Sequence, residues 1–103
     1  MRFTDKTVFI TGAAGGIGRQ TGLSFAKEGA NVAVSDLDFD MASRVAKEIK
    51  SVGGNAEPFK LDVTNQNETI ENMKNAYEHF GSLDIAFCNA GTVSYTHLTL
   101  PTT

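Results

Sequence analysis

The sequence is poor in cysteine, in basic residues and in long apolar runs, and each shortage excludes a class of protein. Its one cysteine, Cys88, cannot form an internal disulfide, which favours a reducing compartment such as the cytoplasm. Nine scattered basic residues against twelve acidic ones give a net charge of −3, so neither nucleic acid nor an anionic membrane is an expected partner. No stretch approaches the roughly 18–20 apolar residues of a membrane span, and the first residues contain no apolar signal core. These shortages favour a small-molecule ligand.

Metal ligands are scarce as well. The two histidines and the cysteine do not form a pair at the close spacing that metal sites use, so no metal site is expected. We interpret Cys88 as a buried strand residue, His79 as a residue on a helix face, and Tyr77 as part of an apolar helical stripe.

Short apolar segments alternate three times with amphipathic segments, a pattern typical of repeated βαβ units. Strands are expected at Thr7–Ile10, Asn31–Ser35, Ala56–Leu61 and Asp84–Cys88. Pro58 weakens the pattern of the third strand. Helices are expected at Arg19–Lys27, along the stripe Met41, Val45, Ile49 and Val52, and from Thr64 along the stripe Ile70, Met73, Tyr77 and Phe80. The sequence therefore predicts an α/β fold: a Rossmann-type doubly wound parallel sheet with about four strands and three helices.

Such a sheet binds ligands at the loops that follow the carboxyl ends of its strands. Here the loops are Thr11–Gly18, Asp36–Leu37, Asp62–Thr64 and Asn89–Gly91. We expect the function to lie in these four segments.

The glycine-rich turn between the first strand and helix is typical of a dinucleotide site. Gly12 allows a tight turn, Gly16 lets the backbone approach a pyrophosphate, and Gly18 permits close helix-strand contact. The N–H groups that begin the helix bind phosphate oxygens without a lysine. Arg19 and Gln20 stand where a P-loop carries lysine and a hydroxyl residue, so nucleotide hydrolysis is not expected. A tight connection without a ligand is the structural alternative.

Asp36 lies at the predicted end of the second strand, about twenty residues after the glycine turn. A carboxylate at this position accepts hydrogen bonds from a ribose hydroxyl and repels a 2′-phosphate. The pattern therefore favours NAD as the cofactor over NADP. The alternative role for Asp36 is that of a helix cap.

These residues resemble the short-chain dehydrogenases/reductases, whose turn Thr-Gly-x-x-x-Gly-x-Gly matches Thr11–Gly18. The resemblance covers residues 5–92 and includes the segment Gly81–Ile85. It implies that Asp62-Val63 contacts the adenine ring and that Asn89-Ala90-Gly91 supports the cofactor site. The cofactor-binding residues expected from spacing and resemblance together are Gly12, Gly15, Gly16, Ile17, Gly18, Asp36, Leu37, Asp62, Val63, Asn89, Ala90 and Gly91.

The last eleven residues depart from the family pattern, which continues with a catalytic serine and Tyr-x-x-x-Lys. Ser94 and Tyr95 do not supply these residues, because Thr99 stands four positions after Tyr95 and the tail has no lysine. Residues 93–103 resemble a translated sequencing adapter, with a divergent natural tail as the alternative. We therefore expect residues 1–92 to be the N-terminal NAD-binding half of a Rossmann-type domain, without catalytic residues and inactive alone, and residues 93–103 to be a non-native tail.

The resemblance implies that the parent protein is an oxidoreductase transferring hydride between NAD and a small alcohol/carbonyl substrate. Two other hypotheses remain at this point. An S-adenosylmethionine-dependent methyltransferase also combines a glycine loop with an acidic residue after the second strand. A non-catalytic dinucleotide-sensing domain would keep the same loops without the catalytic residues.

Overall fold

The computed structural model describes residues 3–12, 15–62 and 64–88, and it confirms the predicted α/β fold. All strand pairs are parallel, and the strand order is β3-β2-β1-β4, which gives a Rossmann-type sheet. None of the helices in these ranges has the length and apolar character needed to cross a bilayer. The elements are β1 (Thr7–Thr11), α1 (Gly16–Lys27), β2 (Asn31–Asp36), α2 (Phe39–Ser51), β3 (Asn55–Lys60), α3 (Gln66–Phe80) and β4 (Ile85–Cys88).

Helices cover both faces of the sheet, because alternate residues of the central strands point to opposite sides. On one face, side chains of β1 and β2 pack against α1 and α2 in a cluster that includes Val8, Ile10, Val32, Val34, Ala26 and Ile49. On the other face, a smaller cluster joins the sheet to α3 and contains Phe9, Ala33, Leu61, Met73 and Ala76. The two cores fix the sheet between its helices.

The buried faces of α2 and α3 are rotated relative to the predicted stripes. In α2, Met41 is 39% exposed and Val52 lies beyond the helix end with 62% exposure, so neither belongs to the buried face that the predicted stripe describes. In α3, Tyr77 is 41% exposed, and its assignment to the apolar stripe is also wrong. The residues that face the sheet include small side chains, which allow a close approach of helix to strand: Ala42, Val45, Ala46 and Ile49 in α2, and Thr69, Met73 and Ala76 in α3.

The starts of α2 and α3 are set by side-chain caps. Asp38 accepts a hydrogen bond from the Met41 N–H at 3.2 Å, so Asp38, and not Asp36, caps α2. Asn65 caps α3, which begins two residues after the predicted Thr64. Pro58 lies inside β3, where its missing N–H is tolerated because β3 is the outermost strand beside β2.

At the edge of the sheet where the strands begin, hydrogen bonds from polar side chains link neighbouring strands. The Asn55 amide donates to Asn31 Oδ1 at 2.9 Å, and the Asn31 amide donates to Thr7 Oγ1 at 3.3 Å. The Thr7 N–H donates to Asp84 Oδ2 at 2.9 Å, which links β1 to the start of β4. These bonds hold the strands in register, so the carboxyl ends also meet at a common edge.

Candidate cofactor-binding site

The predicted binding loops follow strands that are neighbours in the sheet. Thr11, the last residue of β1, is paired with Ser35 in β2 and with Cys88 in β4. The chain therefore crosses over on opposite sides of β1, which makes the gap between β1 and β4 the point where ligands bind in open α/β sheets. The glycine turn and Asp36 emerge at this same edge.

The described glycines of the turn adopt the conformations that a strand-to-helix turn requires. Gly12 has a φ of 62°, in the left-handed region that favours glycine. The Gly15 N–H donates to the Gly12 carbonyl at 3.3 Å, and the Gly15 carbonyl accepts from the Arg19 N–H at 2.8 Å. Gly18 is buried in the first turn of α1, as close helix-strand contact demands.

Gly15 and Gly16 have neither a backbone nor a packing reason to be glycine. Neither has a positive φ. Within the described part of the chain, and apart from chain neighbours and the backbone of α1, a Cβ placed on Gly16 would meet no heavy atom within 4 Å. A Cβ on Gly15 would meet the Gly12 carbonyl oxygen at an ordinary 3.6 Å. The space that these positions leave open lies outside the protein. A ligand that approaches the backbone closely, such as a pyrophosphate, fits the open space beside Gly15 and Gly16.

The N-terminus of α1 is suited to an anion. Its N-cap is Gly15, which offers no side-chain bond, and its first turn contains no acidic residue. The first N–H groups of a helix have no acceptor within the helix, and the helix dipole places partial positive charge there. In α2 and α3, by contrast, Asp38 and Asn65 cap the N-terminus with side-chain oxygens. Gly16 is exposed and Ile17 is 68% exposed, so the first turn of α1 is open to solvent.

Asp36 is half-buried at the end of β2, beside the 62% exposed Leu37. The Asp38 N–H donates to Asp36 Oδ1 at 3.0 Å, and the Leu61 N–H donates to the Asp36 carbonyl at 3.0 Å. These bonds fix the backbone and the carboxylate at the strand end. The carboxylate is thereby held on the strand next to the glycine turn.

Asp62 follows β3 in a tightly bonded turn. Its Oδ1 accepts hydrogen bonds from the Thr64 N–H at 3.0 Å and from the Thr64 hydroxyl at 2.6 Å. Both bonds lower the pKa of the Asp62 carboxyl, because they stabilise its charged form. The Asp62 N–H donates to Glu68 Oε1 at 2.9 Å. A charged carboxylate therefore stands in a fixed turn at the carboxyl end of β3.

Several predicted residues lie outside the described ranges. These are Val63, between the described Asp62 and Thr64, and Asn89, Ala90 and Gly91, which follow the last residue of β4. The interpretation of residues 93–103 as a non-native tail concerns the same undescribed part and stays a prediction. Within the described residues, no three His, Cys, Asp or Glu side chains are grouped as metal ligands.

Sequence reasoning missed two interactions beside the loops. Asn65 followed three residues later by Glu68 matches the start of a capped helix, so the spacing could have placed Glu68 at a helix start but could not have shown its bond to the Asp62 N–H. Arg19 binds Glu48 through both carboxylate oxygens, with Nε to Oε1 at 2.8 Å, and so ties α1 to α2. The bond lowers the pKa of Glu48. No spacing rule could have found it, because the partners belong to different helices.

Comparison with known proteins gives matches that extend over almost the whole chain. The family model described as short chain dehydrogenase matches residues 6–101. An uncharacterised oxidoreductase from Thermotoga maritima is 42% identical over 95 residues, which cover 92% of this chain and 37% of the relative. A crystal structure of hydroxysteroid dehydrogenase from Escherichia coli superposes with a TM-score of 0.84 at 38% identity, covering 88% of this chain and 39% of that one.

A structure of 7α-hydroxysteroid dehydrogenase complexed with NADH and 7-oxo glycochenodeoxycholic acid has a TM-score of 0.80 at 38% identity and covers 82% of this chain and 33% of that one. The chain thus covers between 33% and 39% of the length of these relatives. Because the family model, the relatives and the observed sheet agree, the chain belongs to the short-chain dehydrogenase family.

Proposed function

We propose that the loops at the carboxyl edge of the sheet bind a nicotinamide dinucleotide, NAD in preference to NADP. The observation that carries this proposal is the open space at Gly16, on an α1 N-terminus that has no side-chain cap. The strand beside β1 ends in the carboxylate of Asp36, which is fixed by the Asp38 N–H. An uncapped helix N-terminus suits a pyrophosphate, and a carboxylate on the neighbouring strand suits a ribose, so together they match the two parts of an adenosine diphosphate group.

Each loop then has a role in holding NAD. The first turn of α1 binds the pyrophosphate with backbone N–H groups, and Asp36 accepts bonds from the adenosine ribose. Leu37 and the Asp62-Val63 pair form the adenine pocket, and Asn89-Ala90-Gly91 supports the nicotinamide side. The NADH in a similar solved structure supports this cofactor. The residues assigned to binding are Gly12, Gly15, Gly16, Ile17, Gly18, Asp36, Leu37, Asp62, Val63, Asn89, Ala90 and Gly91.

We assign the whole protein a reversible hydride transfer between NAD and an alcohol/carbonyl pair. When bound, the nicotinamide ring supplies the hydride acceptor or donor. Relatives named cyclohexanol dehydrogenase and 7α-hydroxysteroid dehydrogenase, each 38% identical, support a small-molecule alcohol or ketone as the substrate. The 103 residues contain no Tyr-x-x-x-Lys to move the accompanying proton. We therefore assign cofactor binding, and not turnover, to this chain.

Calorimetric titration of the purified 103-residue chain tests the binding function. We expect saturable binding of NAD with one site per chain, and weaker or no binding of S-adenosylmethionine. S-adenosylmethionine lacks a pyrophosphate, so it would leave the α1 N-terminus without an anion. Tighter binding of S-adenosylmethionine than of NAD would overturn the proposal.

Replacement of Asp36 by alanine tests the cofactor preference. We expect the affinity for NAD to fall about ten-fold, because a charge-assisted hydrogen bond to the ribose is lost. The affinity for NADP should stay constant or rise. Removal of the carboxylate takes away the repulsion of the 2′-phosphate. Asp40→Ala is the matched control, because it removes the same charge from the first turn of α2. An equal loss for both cofactors in Asp36→Ala would refute the ribose assignment.

A further inference from the structure

The Glu68 side chain makes a contact that helix capping does not require. In a capping box, the acidic residue at the third helical position bonds the N–H of the cap residue itself. Here the Asn65 cap accepts from the Glu68 N–H at 3.0 Å, but the Asn65 N–H donates to the Asp62 carbonyl at 3.0 Å. Glu68 Oε1 reaches past the cap and accepts from the Asp62 N–H at 2.9 Å.

Asp62 is consequently held at three points. Glu68 binds its N–H, Asn65 binds its carbonyl, and Thr64 binds its side-chain Oδ1. The bonds from Thr64 and Asn65 come from the turn itself, within three residues of Asp62. The bond to Glu68 is different, because the side chain belongs to a regular helix that is packed on the sheet through Thr69, Met73 and Ala76. This bond ties the N–H of Asp62 to a helix that is packed on the sheet.

We propose that Glu68 is a positioning residue for the adenine end of the dinucleotide, acting through Asp62. This inference rests on the proposed function, in which Asp62 lies at the adenine ring. A carboxylate accepts hydrogen bonds, and the 6-amino group of adenine donates them, so a fixed Asp62 selects adenine over a base that carries an oxygen at that position. Bonds from Thr64 keep the Asp62 carboxyl in its charged form by lowering its pKa, and Glu68 fixes the backbone that carries it.

Four single substitutions separate this role from helix capping and from charge. Glu68→Ala removes the acceptor, and Glu68→Asp keeps the charge at the helix N-terminus but withdraws the oxygen from the Asp62 N–H. Glu68→Gln keeps an oxygen at the original reach and removes the charge. Asn65→Ala is the matched control, because it deletes the α3 cap and leaves the Glu68 side chain in place.

The readout is the ratio of two dissociation constants, for NAD and for the same dinucleotide with hypoxanthine in place of adenine. Each is measured by calorimetry on the 103-residue chain. A partly unfolded sample weakens both constants equally, so a ratio is insensitive to lost stability. We expect Glu68→Ala and Glu68→Asp to reduce the preference for NAD over the hypoxanthine dinucleotide about five-fold, because one hydrogen bond to the base is misplaced. Glu68→Gln and Asn65→Ala should keep the preference of the unaltered chain.

The outcomes distinguish this inference from the function on which it rests. If the unaltered chain binds neither dinucleotide, the proposed function is wrong and the role of Glu68 is lost with it. If the chain binds NAD but Glu68→Asp keeps the full preference, or Asn65→Ala loses as much, the inference alone is overturned. Should Glu68→Ala fail to fold, Glu68→Asp decides the question, because it retains the charge that favours the helix start.

Discussion

Replacing Gly16 with alanine should weaken NAD binding by at least about ten-fold and leave the fold intact. Among the residues that the structure describes, the added methyl group has no contact within 4 Å beyond its own helix and chain neighbours, so these residues do not resist it. It would instead occupy the space through which a pyrophosphate approaches the first N–H groups of α1. Calorimetric titration with NAD gives the affinity, and urea denaturation followed by circular dichroism gives the free energy of unfolding. That free energy should stay constant or rise, because alanine is the better helix former.

Gly22→Ala is the matched control for this experiment, since it makes the same change in the same helix. Gly22 is buried in the core, and a Cβ there would lie at 3.6 Å from Ile10 Cδ1, Val32 Cγ1 and Ile49 Cδ1, which is ordinary contact. We expect Gly22→Ala to stabilise the chain by about 1 kcal/mol and to bind NAD like the unaltered chain. Unchanged NAD affinity in Gly16→Ala would show that no pyrophosphate approaches this turn.

The contrast between these two glycines also shows what the sequence can and cannot reveal. Both stand in α1, yet one faces solvent beside the binding edge and the other is packed against β1, β2 and α2. The family-like spacing of the turn identifies Gly16, but the sequence alone does not show that its surroundings are empty. That fact depends on how helix and strand meet, which is a property of the folded chain.

Element order and type were predictable because they follow from local patterns. The four strands and three helices occur where apolar runs, amphipathic periods and glycine stops indicate them. The facing of α2 and α3 was less predictable, since Met41 and Tyr77 have the hydrophobicity of core residues but lie outside the contact with the sheet. Ala42 and Ala76 are buried in their place, because small side chains allow close packing of the helices.

Within the candidate site, the sequence located the residues proposed to bind the cofactor better than the residues that hold them in place. Asp36 and Asp62 follow strand ends, so topology alone brings them to the binding edge. Their orientation depends on a second layer of bonds, from Asp38 to one and from Glu68 and Thr64 to the other. These bonds join atoms across turns whose shape no spacing rule fixes. The alternative role of Asp36 as a helix cap is wrong, because Asp38 takes the cap position of α2.

Gly54→Ala should give the largest loss of stability of any substitution considered for this chain. Gly54 joins α2 to β3, and a Cβ there would lie at 2.6 Å from Ile49 Cγ2, 3.0 Å from the Ile49 carbonyl oxygen and 3.1 Å from Ala26 Cβ. Ile49 is fully buried, and its Cγ2 is attached directly to the β-carbon, so it cannot swing aside. We expect the free energy of unfolding, measured by urea denaturation, to fall by about 3 kcal/mol.

A second substitution shows whether the clash is the cause. Ile49→Leu removes the Cγ2 methyl group at a cost below about 1.5 kcal/mol, because the side-chain volume is conserved. If the clash dominates, Gly54→Ala should cost clearly less in the Ile49→Leu background than in the unaltered chain, although the contact with the Ile49 carbonyl remains. Equal costs in the two backgrounds would place the strain at the Ile49 carbonyl oxygen or Ala26 Cβ and not at Cγ2. Gly53→Ala is a contrasting case, because its φ of 88° is strained for alanine while its Cβ meets none of the described atoms within 4 Å, so its cost should not depend on Ile49→Leu.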